Sequence, residues 1–193
     1  MDNKLKIINY LGKNIGKDFT MHNLSSLTKI PYATFHREIK RMEKLLSIKE
    51  VGKAKTISLS LSNQDIKAYL AVASSQEREE YLKSNPIIRK ISSELSTDDS
   101  VILFGSYANS KHTEKSDIDL MIINNDGKKT LSFSKYELLF KKKINPIFIT
   151  RKEFVLMLKD KEENVGKQAL KNHIILNNAE EFWKGVLSGF QQG

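Results

Sequence analysis

Cysteine is absent from the 193-residue chain. This excludes disulfide bonds and thiolate metal sites, and it fits a reducing, cytoplasmic setting. No apolar run approaches the roughly 18 residues that suggest a membrane span, and the opening stretch MDNKLKIINY carries no signal-peptide pattern. The expectation is a cytoplasmic protein with no membrane partner. Proline is scarce, with three residues, and neither proline nor glycine interrupts residues 63–85, so that stretch reads as a continuous helix rather than a flexible linker. What is present suffices for a core: 39 % of residues are hydrophobic, nine of them Phe, which excludes low-complexity disorder. The length suits one medium domain or two small ones.

The positive charge is unevenly spread. Residues 1–62 hold 12 basic and 5 acidic side chains, a net of +7, whereas residues 63–193 hold 20 and 18, a net of +2. That asymmetry points to a polyanion-binding module joined to a near-neutral body. In the first part, Leu5, Ile7, Ile8 and Leu11 are spaced for one buried helix face, and Gly12 and Gly16 are read as breaking that helix. A second helix is expected over His22 to Thr28, and a third begins near Tyr32, with Pro31 suited to its first turn. Phe35, Ile39, Met42 and Leu46 form its apolar stripe, while Tyr32, Thr34, His36, Arg37, Lys40, Arg41 and Lys44 occupy the other face. Two strand-like segments then flank Gly52-Lys53-Ala54-Lys55, predicting a hairpin with a basic tip.

Three helices followed by a basic hairpin resemble a winged helix-turn-helix domain over residues 1–62. The resemblance implies that the helix from Tyr32 lies in the DNA major groove through Tyr32, Thr34, His36, Arg37, Lys40 and Arg41, while Lys53 and Lys55 on the wing reach phosphates. Residues 63–85 form a connecting helix, and the restart at Ser84-Asn85-Pro86, with Asn85 as N-cap, opens the second domain, residues 86–193.

The chemistry is concentrated in VILFGSYANSKHTEKSDIDLMII, Val101 to Ile123. An apolar strand ends in Gly105-Ser106, and ten residues later Asp117 and Asp119 flank Ile118 at the start of a second apolar strand. Residues i and i+2 share a strand face, so the two carboxylates point the same way. Such a pair repels unless a cation lies between its members. A Mg²⁺ ion takes carboxylate oxygens together with substrate phosphates. Gly105 allows close backbone approach, and the amides and hydroxyl of Ser106 suit a triphosphate.

Gly105-Ser106, ten residues, Asp117-Ile118-Asp119 resembles the signature of minimal nucleotidyltransferases of the DNA polymerase beta superfamily. The fold class implied is α+β: a winged helix-turn-helix followed by a mixed β-sheet flanked by helices. Asp117 and Asp119 would bind Mg²⁺ and be catalytic, and Gly105, Ser106 and Ser116 would bind the nucleoside triphosphate, with ATP as the expected substrate. An acceptor hydroxyl or phosphate would attack the α-phosphorus and release pyrophosphate. Active members carry a third carboxylate on a later strand, and here that catalytic position falls on Asn145. Asp126, Glu137 or Glu153 are alternatives for the missing acid.

Related minimal transferases modify a partner protein in toxin–antitoxin pairs, commonly a small ribonuclease toxin, so a partner toxin protein is one implied acceptor. The competing expectation is a transcription regulator with an impaired, nucleotide-sensing or dimerising transferase-like domain. A winged helix that reads palindromes implies a homodimer. Trp183 and His173 are expected to be core residues.

Overall fold

Asp2 starts the first helix by accepting the Leu5 amide at 2.9 Å, a side-chain cap for one of the unpaired N–H groups of the first turn. In the computed structural model, which describes residues 1–52 and 54–190, this helix α1 runs Asn3–Lys13. It continues through Gly12 instead of breaking there. A Cβ at Gly12 would meet Leu70 Cδ2 at 2.5 Å and Trp183 Cη2 at 2.9 Å, so this glycine serves close packing between helices rather than termination.

Strand β1 (Phe19–Thr20) leads into α2 (Met21–Thr28), capped by Thr20. The helix α3 (Tyr32–Arg41) begins directly after Pro31. Its apolar stripe is buried at Phe35, Ile39 and the C-cap Met42, each at most 1 % exposed, but the helix ends before Leu46, which is buried instead as the first residue of a strand. A short 3₁₀ turn, Glu43–Leu45, separates it from β2 (Leu46–Val51), which pairs antiparallel with β3 (Ala54–Leu59). β1 adds to the outer edge of β3, giving the order β1-β3-β2.

The helix α4 (Ile66–Ser84) buries Ile66, Leu70, Ala71, Ala73 and Ser74. α5 (Pro86–Ser93) follows with Pro86 in its first turn. Asn85 stands at the N-cap position but does not cap: its amide donates back to the Tyr81 carbonyl at 2.8 Å. The exposed carbonyls at the end of α4 compete for the same side chain, and they win.

The second sheet comprises β4 (Ser100–Phe104), β5 (Ile118–Asn124), β6 (Ile144–Thr150) and β7 (His173–Asn177), in the order β6-β5-β4-β7. β4 pairs antiparallel with β5 and β7, and β5 pairs parallel with β6. The parallel pair needs a crossover, which carries α7 (Ser134–Phe140). β6 is an edge strand, where Pro146 removes no central ladder bond. The remaining helices are α6 (Gly105–Ala108), α8 (Arg151–Lys159), α9 (Val165–Lys171) and α10 (Ala179–Phe190).

Both faces of this sheet are covered. Val101, Leu103, Ile118, Leu120, Ile122, Ile174 and Leu176 pack with α5 and α7. Ile102, Phe104, Met121, Ile123, Ile149 and Ile175 pack with α8 and α10, and that cluster runs on without a break into Leu5, Ile8, Leu24, Phe35 and Ile57 of the first sixty residues. The junction is made by α4, whose Ser74 hydroxyl accepts from Trp183 Nε1 at 2.9 Å. Lys13 on α1 donates to Glu77 at 2.6 Å and to the His173 carbonyl at 2.8 Å.

Candidate active site

Three strand ends build the site. β4 terminates at Phe104, which stands opposite Asp119 in the antiparallel register. Gly105 then turns the chain at φ +71° into the short helix α6. A Cβ there would fall on the Asp119 carboxylate, so both the left-handed backbone and the lack of a side chain are required. Asp119 shares its strand face with Met121 and Ile123. Asp117 lies one residue before β5 rather than within it, and its side chain is 41 % exposed.

From the edge strand, Asn145 stands opposite Asp119 in the parallel register. Its Nδ2 donates to Asp117 Oδ2 and to Asp119 Oδ1, both at 3.2 Å. The two carboxylates therefore converge on one point, which the amide hydrogens fill. Lys143 Nζ lies 3.8 Å from the same Asp117 oxygen. The sequence gives a signal for Lys143 in retrospect: it stands two residues before Asn145, the spacing that keeps two side chains on one side of an extended chain. Read as part of the run Lys141-Lys142-Lys143, it passes for a solvated helix end.

The three alternative acids are held elsewhere. Glu137 accepts the Ile144 amide at 2.9 Å. Glu153 closes a capping box with Thr150 at the far end of β6, and the Thr150 amide holds its carboxyl below the usual range. Asp126 follows the far end of β5 and accepts the Lys128 amide at 3.1 Å. Among the described residues no group of three or more Asp, Glu or His side chains gathers where a metal could bind.

The loop between Ser106 and Asp117 is internally tied. The Ser106 carbonyl accepts the Lys111 amide at 3.0 Å, and Ser116 Oγ accepts the Thr113 amide at 2.9 Å. His112 stacks on Tyr107, with centroids 4.0 Å apart and planes 7° from parallel. Tyr81 donates its hydroxyl to the Tyr107 carbonyl at 2.9 Å. Burial, and then Tyr107, push the Tyr81 pKa well above its usual range, so it stays a donor and pins α6 to α4.

A divalent cation fits the donor set. Oxygen ligands are what Mg²⁺ takes, Asp117 and Asp119 aim at one point, and the amide that fills it can offer its carbonyl oxygen after a half-turn. Elsewhere, His173 is fully buried, with its Nδ1 at 2.9 Å from the Ala169 and Leu170 carbonyls. Its ring lies against Phe182 and Trp183, and this packing makes it a core residue, distinct from the aspartate pair.

On α3, Tyr32, Arg37, Lys40 and Arg41 are exposed, and Thr34 and His36 are half-buried. Arg37 reaches the Thr34 hydroxyl at 3.4 Å, Arg41 pairs with Glu38 at 2.9 Å, and Lys55 on β3 pairs with Glu50 at 3.6 Å. Lys53 lies outside the described residues. No helix among the described residues is long and apolar enough to cross a membrane.

The Gly105 turn thus stands against the Asp119 carboxylate, and Asn145 links Asp119 to Asp117. Residues 86–176 match the family model described as nucleotidyltransferase domain. The matched stretch contains Gly105, Ser106, Asp117, Asp119 and Asn145, and it supports the nucleotidyltransferase superfamily and NTP-utilising transfer chemistry. No curated protein and no solved structure gives a significant match to the chain.

Proposed function

We propose that the protein is a Mg²⁺-dependent nucleotidyltransferase that moves a nucleoside monophosphate from an NTP, preferably ATP, to an acceptor. The observation that carries this reading is the convergence of Asp117 Oδ2 and Asp119 Oδ1 on one point beside the Gly105 turn. Asp117 and Asp119 would hold the cation, and Asn145 would add a neutral ligand. Gly105 and Ser106 would bring backbone amides and a hydroxyl to the triphosphate, while Ser116 keeps the loop in place from its bond to Thr113. When bound, Mg²⁺ supplies neutralisation of charge developing on the phosphates. The chain's own contribution is alignment of the α-phosphorus with the acceptor.

The basic first part supports a second, compatible role. The exposed Tyr32, Arg37, Lys40 and Arg41 of α3, with the β2–β3 hairpin beside it, suit a winged helix that reads an operator as a homodimer in the cytoplasm. The resemblance to toxin–antitoxin transferases makes a partner toxin protein the natural acceptor. The alternative is a DNA-binding regulator whose transferase-like domain only senses nucleotide.

Calorimetry tests the nucleotide site that both readings share, and transfer of label from α-labelled ATP to an acceptor in lysate separates catalysis from sensing. Mg²⁺-dependent binding of ATP, GTP, CTP and UTP is measured for the wild type and for Asp117→Asn/Asp119→Asn. Binding that the double variant loses supports the transferase site. No binding by the wild type removes it and leaves DNA binding as the main activity.

A further inference from the structure

In-line phosphoryl transfer commonly uses two divalent cations that clamp the attacking and leaving oxygens. Each is held by oxygen ligands, and the family resemblance implies a third acid on a neighbouring strand to complete the pair. In this chain the neighbouring strand presents Asn145, 3.2 Å from both carboxylates, and a cation of its own, the Lys143 ammonium, 3.8 Å from Asp117. The other acids that could have stood in are tied to the Ile144 amide, to Thr150 and to Lys128.

We propose that the site takes a single divalent cation, the one that arrives with the nucleotide, and that Asn145 and Lys143 exclude a second. This rests on the transferase reading of the same site and goes beyond it. The ligand set argues for it. The nucleotide's phosphates carry the first cation in, and Lys143, 3.8 Å from Asp117, competes for that carboxylate. A second cation would have to share Asp117 and Asp119 beside an ammonium, with only an amide carbonyl in place of a carboxylate. An amide brings a ligand oxygen but no charge and no basicity. Besides offering a neutral ligand, Asn145 acts as a positioning residue: it holds the two aspartates convergent before the nucleotide binds and leaves the pair without a third acid.

The test counts bound metal rather than turnover. Purified full-length protein is titrated with Mn²⁺ in the presence of α,β-methylene-ATP, and bound Mn²⁺ is read by electron paramagnetic resonance after equilibrium dialysis. The wild type should saturate at one Mn²⁺ per chain. Asn145→Asp and Lys143→Ala/Asn145→Asp should take up a second, with affinity at least tenfold above any residual second binding in the wild type. Asn145→Asp should also melt lower in EDTA than the wild type, because three carboxylates then repel, and regain that loss on adding Mn²⁺. Lys143 is 69 % exposed, so Lys143→Ala alone should fold normally and shift second-site affinity in the same direction.

A wild type that binds two Mn²⁺ overturns the proposal while leaving the transferase reading intact. Variants that stay at one Mn²⁺ overturn the assignment to Asn145 and Lys143. A wild type that binds neither nucleotide analogue nor Mn²⁺ removes the transferase reading, and the proposal with it.

Discussion

At the scale of single residues, Gly105 and His173 are constrained for opposite reasons. Gly105 needs room for its neighbour's carboxylate and a left-handed backbone at φ +71°. Gly105→Ala should cost about 1–2 kcal/mol of stability from backbone strain alone. It should also turn the Asp119 carboxylate away and weaken Mg²⁺-nucleotide binding by roughly tenfold or more, ~1.4 kcal/mol. Paired melting and calorimetry check this, and unchanged affinity in a folded variant would remove Gly105 from the site. His173 is constrained by burial, which, with the nearby Lys13 ammonium as the lesser cause, holds its pKa down to about 3. The unfolded chain takes the proton first as pH falls below the ordinary 6.5. Stability from the neutral ring is therefore complete above that value and is lost progressively toward pH 3. Urea titrations across this window should give a slope up to about 1.4 kcal/mol per pH unit steeper than in His173→Leu. Equal slopes would mean the ring already charges in the folded state.

At the scale of elements, α3 carries the charges that a DNA backbone would meet, but they are not equivalent. Arg41 is paired with Glu38 at 2.9 Å, whereas Lys40 is exposed and Arg37 has only a long contact to the Thr34 hydroxyl. Each phosphate contact contributes a slope of roughly −0.9 in log K against log salt. Arg37→Gln and Lys40→Gln should each flatten that slope by about one for operator DNA, and Glu38→Gln should raise affinity by releasing Arg41. A fluorescence-anisotropy salt series reads all three, and slopes that none of them alters would exclude α3 as the DNA-facing helix. Much at this scale is legible in residue order alone. Phe35 and Ile39 are buried on α3 and Met42 at its C-cap, and the apolar runs around Gly105-Ser106 and Asp117-Ile118-Asp119 become neighbouring antiparallel strands. Local periodicity and turn chemistry set these features, so a single sequence carries them. The parts that escape it depend on partners distant in the chain. Gly12 reads as a helix breaker because Trp183 is 171 positions away. Asn85 reads as a cap because the carbonyl of Tyr81 is not visible as a competitor. Asn145 reads as a departure from a motif, and only the parallel register with Asp119 gives it both aspartates as partners.

At the scale of the whole molecule, the charge asymmetry between residues 1–62 and the remainder suggests two separable parts, yet the apolar packing does not divide there. One cluster joins Leu5, Ile8 and Phe35 to Phe104, Met121, Phe154 and Trp183 through Leu70 and Ala73 of α4. Polar contacts cross the same junction: Trp183 to Ser74, and Lys13 to Glu77 and to the carbonyl of His173. His173 in turn pairs with Phe104, the residue before the Gly105 turn. Because the interior has little free volume, the first sixty residues and the sheet should unfold together. The single tryptophan, Trp183, lies at the junction and reports it by fluorescence, while hydrogen exchange at the β2–β3 amides reports the hairpin. Both probes should follow one urea transition in the full chain. Gly12→Val, which drives a side chain into Leu70 and Trp183, should lower both midpoints together, for a stability loss of about 1–3 kcal/mol. If the hairpin amides open at clearly lower urea than Trp183, the continuous core does not couple the two parts, and any influence of DNA on the nucleotide site would have to travel by another route.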